Sequence, residues 1–375
     1  PGSVIFLLSY LPEVFPLKQI ICLSHEPWGT RPNRTQQLLA RLTEAQILFF
    51  EPPGARRSQE PADGLRVRSN ITVYSLPALL LNNADQNWVR RRNQARIARC
   101  IQSVMARHRF REPVLWCTTP ENYFMLDHLA YRCLVYDCHQ EWDDLPLDWE
   151  SDLTAAADVV FAASPGLRQR LLPCSDNIAL LPNGANPQMF LRDGLEPPEL
   201  VRQLPRPVFA RVGDVSADLE LAPLVHTAQR RPQWTFLLLG RVGQHALQVL
   251  SPLPNVTLAG PVPAVELPDY LSGCQVLFDL VRSRRRGSDV VPGRIYEYLS
   301  TGKPIVTMLP PEQTEFFPDA IYAAFDPNGF LRRCQLALDE DDSAIRDRRI
   351  HYAQDASWSR RAREIARILA DTGLF

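Results

Sequence analysis

Short apolar or β-branched runs alternate along this chain with longer amphipathic stretches. In the first half the short runs are IICLS (20–24), QILFFE (46–51), VLWCTT (114–119), CLVYD (133–137), DVVFAAS (158–164) and IALLPN (178–183). The second half repeats the plan with VFARVG (208–213), TFLLLG (235–240), VTLAG (256–260), QVLFDL (275–280) and PIVTML (304–309). Between them TQQLLARL, LELAPLVHTAQ, LPDYLSGC and RIYEYLST carry helical spacing, and SRRAREIARILA (359–370) is a last amphipathic helix. Ser164 followed by Pro165 is a strong helix start, a hydroxyl cap and then proline in the first turn. This strand–helix alternation predicts parallel sheets covered on both faces.

At 375 residues the chain is long for one core. The proline-rich stretch from Asn183 to Pro207 separates the two halves and suits a linker. Two α/β domains then face one another across a cleft, and in open parallel sheets ligands sit beyond the carboxyl ends of the strands.

Composition narrows the function. Apolar residues at 45% and charged residues at 22% are ordinary for a globular protein, and a formal charge of −1 argues against nucleic acid or any general polyanion as partner. Eight cysteines form no C-x-x-C pair and have no histidine cluster nearby, so metal-site spacing is absent. Several lie inside strand-like runs, the pattern of buried free thiols in a reducing, cytoplasmic compartment. No segment reaches the roughly 20 apolar residues that span a bilayer. The stretch VIFLLSYLPEVF (4–15) is short, holds Pro12 and Glu13, and lacks the marks of a signal peptide.

Candidate chemistry concentrates in GSDVVPGRIYEYLSTGKPIV (287–306), a loop, a short helix and a strand. A helix starting at Pro292-Gly293 presents free N–H groups and a positive dipole end, a natural seat for a diphosphate. Arg294 in its first turn adds a charge-assisted donor. Glu297, one turn on, can accept two ribose hydroxyls, and Asp289 in the loop can hold sugar hydroxyls. A solvated helix residue and a loop charge are the competing reading of Glu297 and Asp289.

The segment PGRIYEYLSTGKPIV resembles the signature of retaining GT-B glycosyltransferases, especially family-four enzymes and the teichuronic-acid-type bacterial group. Many of those proteins carry two glutamates separated by seven residues. Glu297 matches the ribose-binding one, and Asp289 stands where the donor-sugar glutamate is usual. LLPNGANPQMF (180–190) resembles the family's interdomain segment, with Asn186 in place of the usual aspartate. RVGDVSADLELAPLV resembles the first strand–loop of the nucleotide domain, with Gly213 at the turn. The arginine and lysine that often follow that glycine are replaced by Asp214, Val215, Ser216, Ala217 and Asp218. Arg294, together with Arg282, Arg284 or Arg241, would then have to neutralise the phosphates. LAGPVPAVELPDYLSGCQVLFDL resembles the segment bracketing the base, which would put Val262 beside it. Trp234 reads as core.

In the first half, CLSHEPWGTRPNRTQQLLARL (22–42) resembles the first strand, loop and helix of the same group. Gly29 would let backbone approach a ligand, Trp28 would stack on a sugar or simply hold the loop, and Arg31 or Arg34 would meet a donor phosphate. VYDCHQEWDDL (135–145) resembles a strand-end segment, making Asp137, His139 and Glu141 candidates for orienting hydroxyls. Arg90, Arg91 and Arg92 in the helical run 88–110 match a basic face that in related enzymes meets anionic lipid; a solvated face is the plainer reading.

The resemblance implies an α/β, GT-B architecture of two Rossmann-like doubly wound domains facing a central cleft. Residues 1–190 would be the acceptor-side domain, 191–355 the nucleotide-sugar domain, and 356–375 a terminal helix returning to the first. It implies sugar transfer from a nucleotide-sugar donor, a UDP- or GDP-sugar, to a hydroxyl of a glycan or lipid-linked acceptor, without a metal and with retention, in cell-surface polysaccharide or glycolipid synthesis. The catalytic candidates are Asp289, Glu297, His139 and Asp137. The donor-binding candidates are Gly29, Gly213, Arg241, Val262, Arg294 and Glu297. A sugar-nucleotide epimerase, a phosphorylase and a non-catalytic carbohydrate-binding or scaffold protein share this two-domain form.

Overall fold

The computed structural model describes residues 18–29, 31–54, 64–80, 87–282 and 288–373. The stretch VIFLLSYLPEVF, Arg284 and Gly287 lie outside the described residues.

In the first half the strands are β1 (Lys18–Leu23), β2 (Ala45–Glu51), β3 (Leu65–Arg68), β4 (Ile71–Ser75), β5 (Val114–Cys117), β6 (Cys133–Cys138), β7 (Val159–Ala162) and β8 (Ile178–Leu180). They form one sheet in the order β3-β4-β2-β1-β5-β6-β7-β8. Every pairing is parallel except the β3–β4 hairpin at the edge. In the second half β9 (Val208–Val212), β10 (Thr235–Leu239), β11 (Val256–Gly260), β12 (Val276–Asp279), β13 (Ile305–Thr307) and β14 (Tyr322–Ala323) form a parallel sheet. Its order, β11-β10-β9-β12-β13-β14, is the 3-2-1-4-5-6 arrangement of doubly wound folds.

Successive strand residues point to opposite faces, so each sheet feeds two apolar layers. On β1 and β5, Ile21 and Leu115 join one layer while Cys22 and Trp116 join the other. On β9, Val208, Ala210 and Val212 face one way and Phe209 the other, where it stacks on Trp234 at 4.8 Å. Trp234 is therefore core, as its strand-edge position suggested.

Helix Trp358–Asp371 buries Trp358, Ala362, Ile365 and Leu369, one stripe at helical spacing. That stripe packs into the first-half layer containing Leu38, Leu39, Trp116 and Phe161, although the helix follows the second sheet in sequence. The chain thus crosses between halves twice, and the two crossings bond to each other. Trp358 N–H donates to Ala185 O at 2.9 Å and Ala185 N–H to Ala356 O at 3.1 Å. Gly184 is required here, because a Cβ would stand 2.3 Å from Ala356 O.

Three features escaped the sequence pattern. LRVRSNITVYS forms the β3–β4 hairpin, whose outer strand alternates half-buried and exposed positions. VLWCTT ends as a strand at Cys117, because Asn122 Oδ1 accepts from the N–H groups of Thr118 and Thr119 and turns the chain into a 3-10 helix, Pro120–His128. β14 is only two residues long.

Candidate functional site

The strand order reverses between β1 and β5 in one sheet and between β9 and β12 in the other. Neighbouring connections leave on opposite faces at such points and open a crevice at the carboxyl ends. His25 follows β1 and Thr118 follows β5; the His25 backbone N–H donates to the Thr118 side-chain Oγ1 at 2.9 Å. Gly213 follows β9 and Leu280 follows β12. A cavity of about 550 Å³ lies between the halves, lined among others by His25, Arg31, His139, Asn183, Arg294 and Glu297.

Helix Gly293–Thr301 supplies the second-half wall. Its buried face is Ile295, Tyr296, Tyr298, Leu299 and Ser300, which leaves Arg294 and Glu297, three positions apart, to line the cavity. Pro292 and Gly293 at its start line the cavity too, so the positive end of the helix dipole faces it. Glu297 reaches across to the first half, where Arg31 Nη2 donates to Oε2 at 3.2 Å. Both side chains keep solvent contact, at 39% and 27% exposure, so the pair is worth no more than about 1 kcal/mol and a competing ligand can displace it.

Arg294 is not a free cation. Its Nε donates to Asp279 Oδ2 at 2.6 Å, and the other oxygen of that buried carboxylate accepts from Arg211 Nε at 3.1 Å. Gly213 sits directly above with φ of 111°, a left-handed conformation that favours glycine, and a Cβ there would stand 3.3 Å from Arg294 Nη1. Gly240 permits this turn to pack, since a Cβ on it would lie 2.4 Å from Gly213 O.

Several candidates are placed differently from expectation. Asp289 is engaged by the first half: its Oδ2 accepts from Gly166 N–H at 2.6 Å, in the first turn of helix Pro165–Leu171. Asp137 is wholly buried and chelated by Arg34 at 2.9 to 3.2 Å, so its carboxylate orients Arg34 and does not face the cavity. Arg241 points to solvent and pairs with Asp214 at 2.9 Å, which leaves it no role as an unpaired cation. Arg282 is likewise matched, to Asp218 at 2.9 Å. Gly29 is exposed outside the cavity wall, and Val262 is half-buried against the second-half core. Trp28 packs edge-on against Phe49 at 5.0 Å, the loop-holding alternative. Glu141 is exposed.

His139 does line the cavity, paired with His25. Its Nδ1 lies 3.0 Å from the Asp137 carbonyl, which can only accept, so Nδ1 carries the proton. Burial, with His25 second, lowers its pKa to about 4, so the ring is neutral and Nε2 is a lone pair. His25 Nε2 stands 3.4 Å from that nitrogen and must be the donor. The rings are 4.7 Å apart, and both lie edge-on to Trp142. Glu26, whose Oε1 is 3.7 Å from His25 Nε2, is held below the usual carboxylate range by His25 foremost and by Asn33.

The pairing of His139 with His25, and the Arg211–Asp279 pair, were missed. The second had a readable signal: one charge inside each of two apolar runs, VFARVG and QVLFDL, on strands that pair. The first had none, because only folding brings the ends of β1 and β6 together. Asn183 was also missed as a cross-cleft tie; it donates to Val291 O at 3.0 Å and accepts from Arg34 at 3.3 Å. Among the described residues no group of His, Cys, Asp and Glu is arranged to hold a metal ion, and no helix is long and apolar enough to cross a membrane. None of the eight cysteines is joined in a disulfide.

Known proteins share this architecture. Residues 220–367 match the family described as glycosyl transferase-like. TuaH of Bacillus subtilis, described as a teichuronic acid biosynthesis glycosyltransferase, is 23% identical over 279 residues, covering 67% of this chain and 70% of that protein. Sucrose-phosphate synthase of Thermosynechococcus elongatus superposes with a TM-score of 0.74 at 15% identity, over 95% of this chain and 99% of that one. HepE of Anabaena, solved in complex with UDP and glucose, gives 0.70 at 15% identity over 94% and 100%. The fold is GT-B. Fold and family segment together define the class, a glycosyltransferase of the GT-B type.

Proposed function

We propose that this protein transfers a sugar, with retention of anomeric configuration, from a UDP- or GDP-sugar to a hydroxyl of a glycan or lipid-linked acceptor in cell-surface polysaccharide synthesis. The observation that carries the reading is the position of Glu297: on the helix that opens onto the second switch point, facing the cavity, and held only by a displaceable arginine. The carboxylate takes the ribose hydroxyls once Arg31 swings away. Arg294 and the helix N-terminus meet the diphosphate. The UDP and glucose bound to HepE, and the name of TuaH, support the donor and acceptor classes.

The halves divide the work. His25 and His139, with a fixed direction of hydrogen bonding, orient hydroxyls of donor sugar and acceptor. Asp137 is a positioning residue that holds Arg34. Asp289 ties the halves through Gly166 and so sets the depth of closure, which excludes water from the reacting carbon. Residues 1–190, 191–355 and 356–375 serve as acceptor side, donor side and returning brace. The lack of disulfides among the cysteines supports a cytoplasmic setting, and the exposed Arg91 and Arg92 support contact with an anionic membrane face.

Incubation with a panel of UDP- and GDP-sugars and a polyprenyl- or glycan-linked acceptor tests this. The product's anomeric proton coupling should match that of the donor. Inverted coupling rejects retention, and an altered nucleotide sugar formed without acceptor favours the epimerase.

A further inference from the structure

The turn after β9 carries no cation in Asp214–Asp218, yet two arginines converge beneath it. Arg211 is fully buried inside β9. Its Nε donates to Asp279 Oδ1 at 3.1 Å and its Nη1 to Gly213 O at 2.9 Å, while Nη2 is buried with no partner among the described residues. Arg294 holds the other oxygen of the same carboxylate and abuts Gly213. Asp279 is oriented further by the Leu280 N–H at 3.0 Å. Among the described residues, the other arginines around the turn pair with carboxylates, Arg241 with Asp214 and Arg282 with Asp218. One carboxylate therefore serves two guanidiniums, and the floor of the turn carries one positive charge in excess. A buried excess of charge is costly unless an anion meets it. The Arg211 bond also fixes the peptide after Gly213. A planar trans peptide points its C=O and N–H in opposite directions, so drawing Gly213 O inward turns the Asp214 N–H away from Arg211.

We infer that Arg211 is a positioning residue for the donor's diphosphate: with Asp279 it sets the Gly213 turn, and by sharing that carboxylate it leaves the charge of Arg294 only partly met, replacing surface cations after the glycine. This rests on the donor reading above. The anion it fits is a nucleoside diphosphate, whose charge the excess meets from beneath the turn.

Calorimetric titration with UDP, GDP and the corresponding nucleosides tests it, using Arg211→Met, Arg211→Lys and the double variant Arg211→Met/Asp279→Leu. Arg211→Met leaves Arg294 neutralised by Asp279. It should weaken the bound diphosphate about tenfold or more, with nucleoside affinity within about twofold. The double variant restores the excess on Arg294 and should recover most of the loss, and Arg211→Lys should lose less than Arg211→Met. The salt dependence of UDP or GDP binding should flatten in Arg211→Met and return in the double variant. Arg211→Met that melts cooperatively and binds the diphosphate as the wild type does would overturn the inference. So would equal losses for diphosphate and nucleoside. Should Arg211→Met fail to fold, the double variant decides alone: near wild-type diphosphate affinity supports the inference, and a tenfold loss overturns it. A wild-type protein that binds neither UDP nor GDP rejects the donor reading itself.

Discussion

The two switch points are built on the same strand order and hold opposite chemistries. At β1–β5 the crevice is lined by imidazole, indole and hydroxyl groups: His25, His139, Trp142 and Thr118. At β9–β12 it rests on buried charge, Arg211, Asp279 and Arg294. Topology places a crevice and says nothing of what enters it. The side chains at the strand ends divide the two roles: a hydrogen-bonding wall of imidazole and hydroxyl groups suits sugar hydroxyls, and a charged floor with a helix N-terminus suits a diphosphate.

That contrast can be broken by substitution. The largest effect is expected from His25→Ala, which removes the donor to His139: kcat should fall about 100-fold with UDP or GDP affinity unchanged, the size of a lost orienting or proton-handling group. A loss of nucleotide affinity there would erase the distinction between the two ends. Next is the brace that fixes both ends against each other. Gly184→Ala forces a Cβ against Ala356 O and should lower stability by about 2 kcal/mol in thermal or urea unfolding.

Acid probes His139 in the β1–β5 wall. The folded pKa of His139 is lowered to about 4 from an ordinary value of 6.5, so the unfolded chain binds the extra proton between those values. Its contribution to stability is complete above about pH 6.5 and is lost as pH falls toward 4. The loss should be about 3 kcal/mol and absent in His139→Asn. The smallest effect belongs to the partly exposed Arg31–Glu297 pair. Arg31→Ala frees Glu297 and should tighten nucleoside binding up to about fivefold; a marked weakening would mean that Arg31 serves the nucleoside itself.

The sequence carried the frame of this molecule further than its site. Strand runs from IICLS to PIVTML and the helix RIYEYLST all stand where alternation put them, because burial on two faces is written in local composition. The β3–β4 hairpin was invisible because an edge strand with exposed Arg66 and Arg68 has no apolar run to read. The placing of Glu297 and Arg294 on one helix face was legible because helix geometry relates neighbours three apart. The partners of Asp137, Asp289 and Arg241 were not, because a carboxylate or guanidinium at a strand end or loop does not reveal its partner. Those partners, Arg34, Gly166 and Asp214, lie 103, 123 and 27 positions away.

The central claim is that the Glu297 carboxylate holds the ribose of an activated sugar. Titration calorimetry of wild type and Glu297→Ala with UDP and GDP addresses it directly. Wild type should bind one of the two, and the variant, with an unchanged melting transition, should lose about 100-fold or more, as expected for two charge-assisted hydrogen bonds. Equal affinity in the two proteins would contradict the claim.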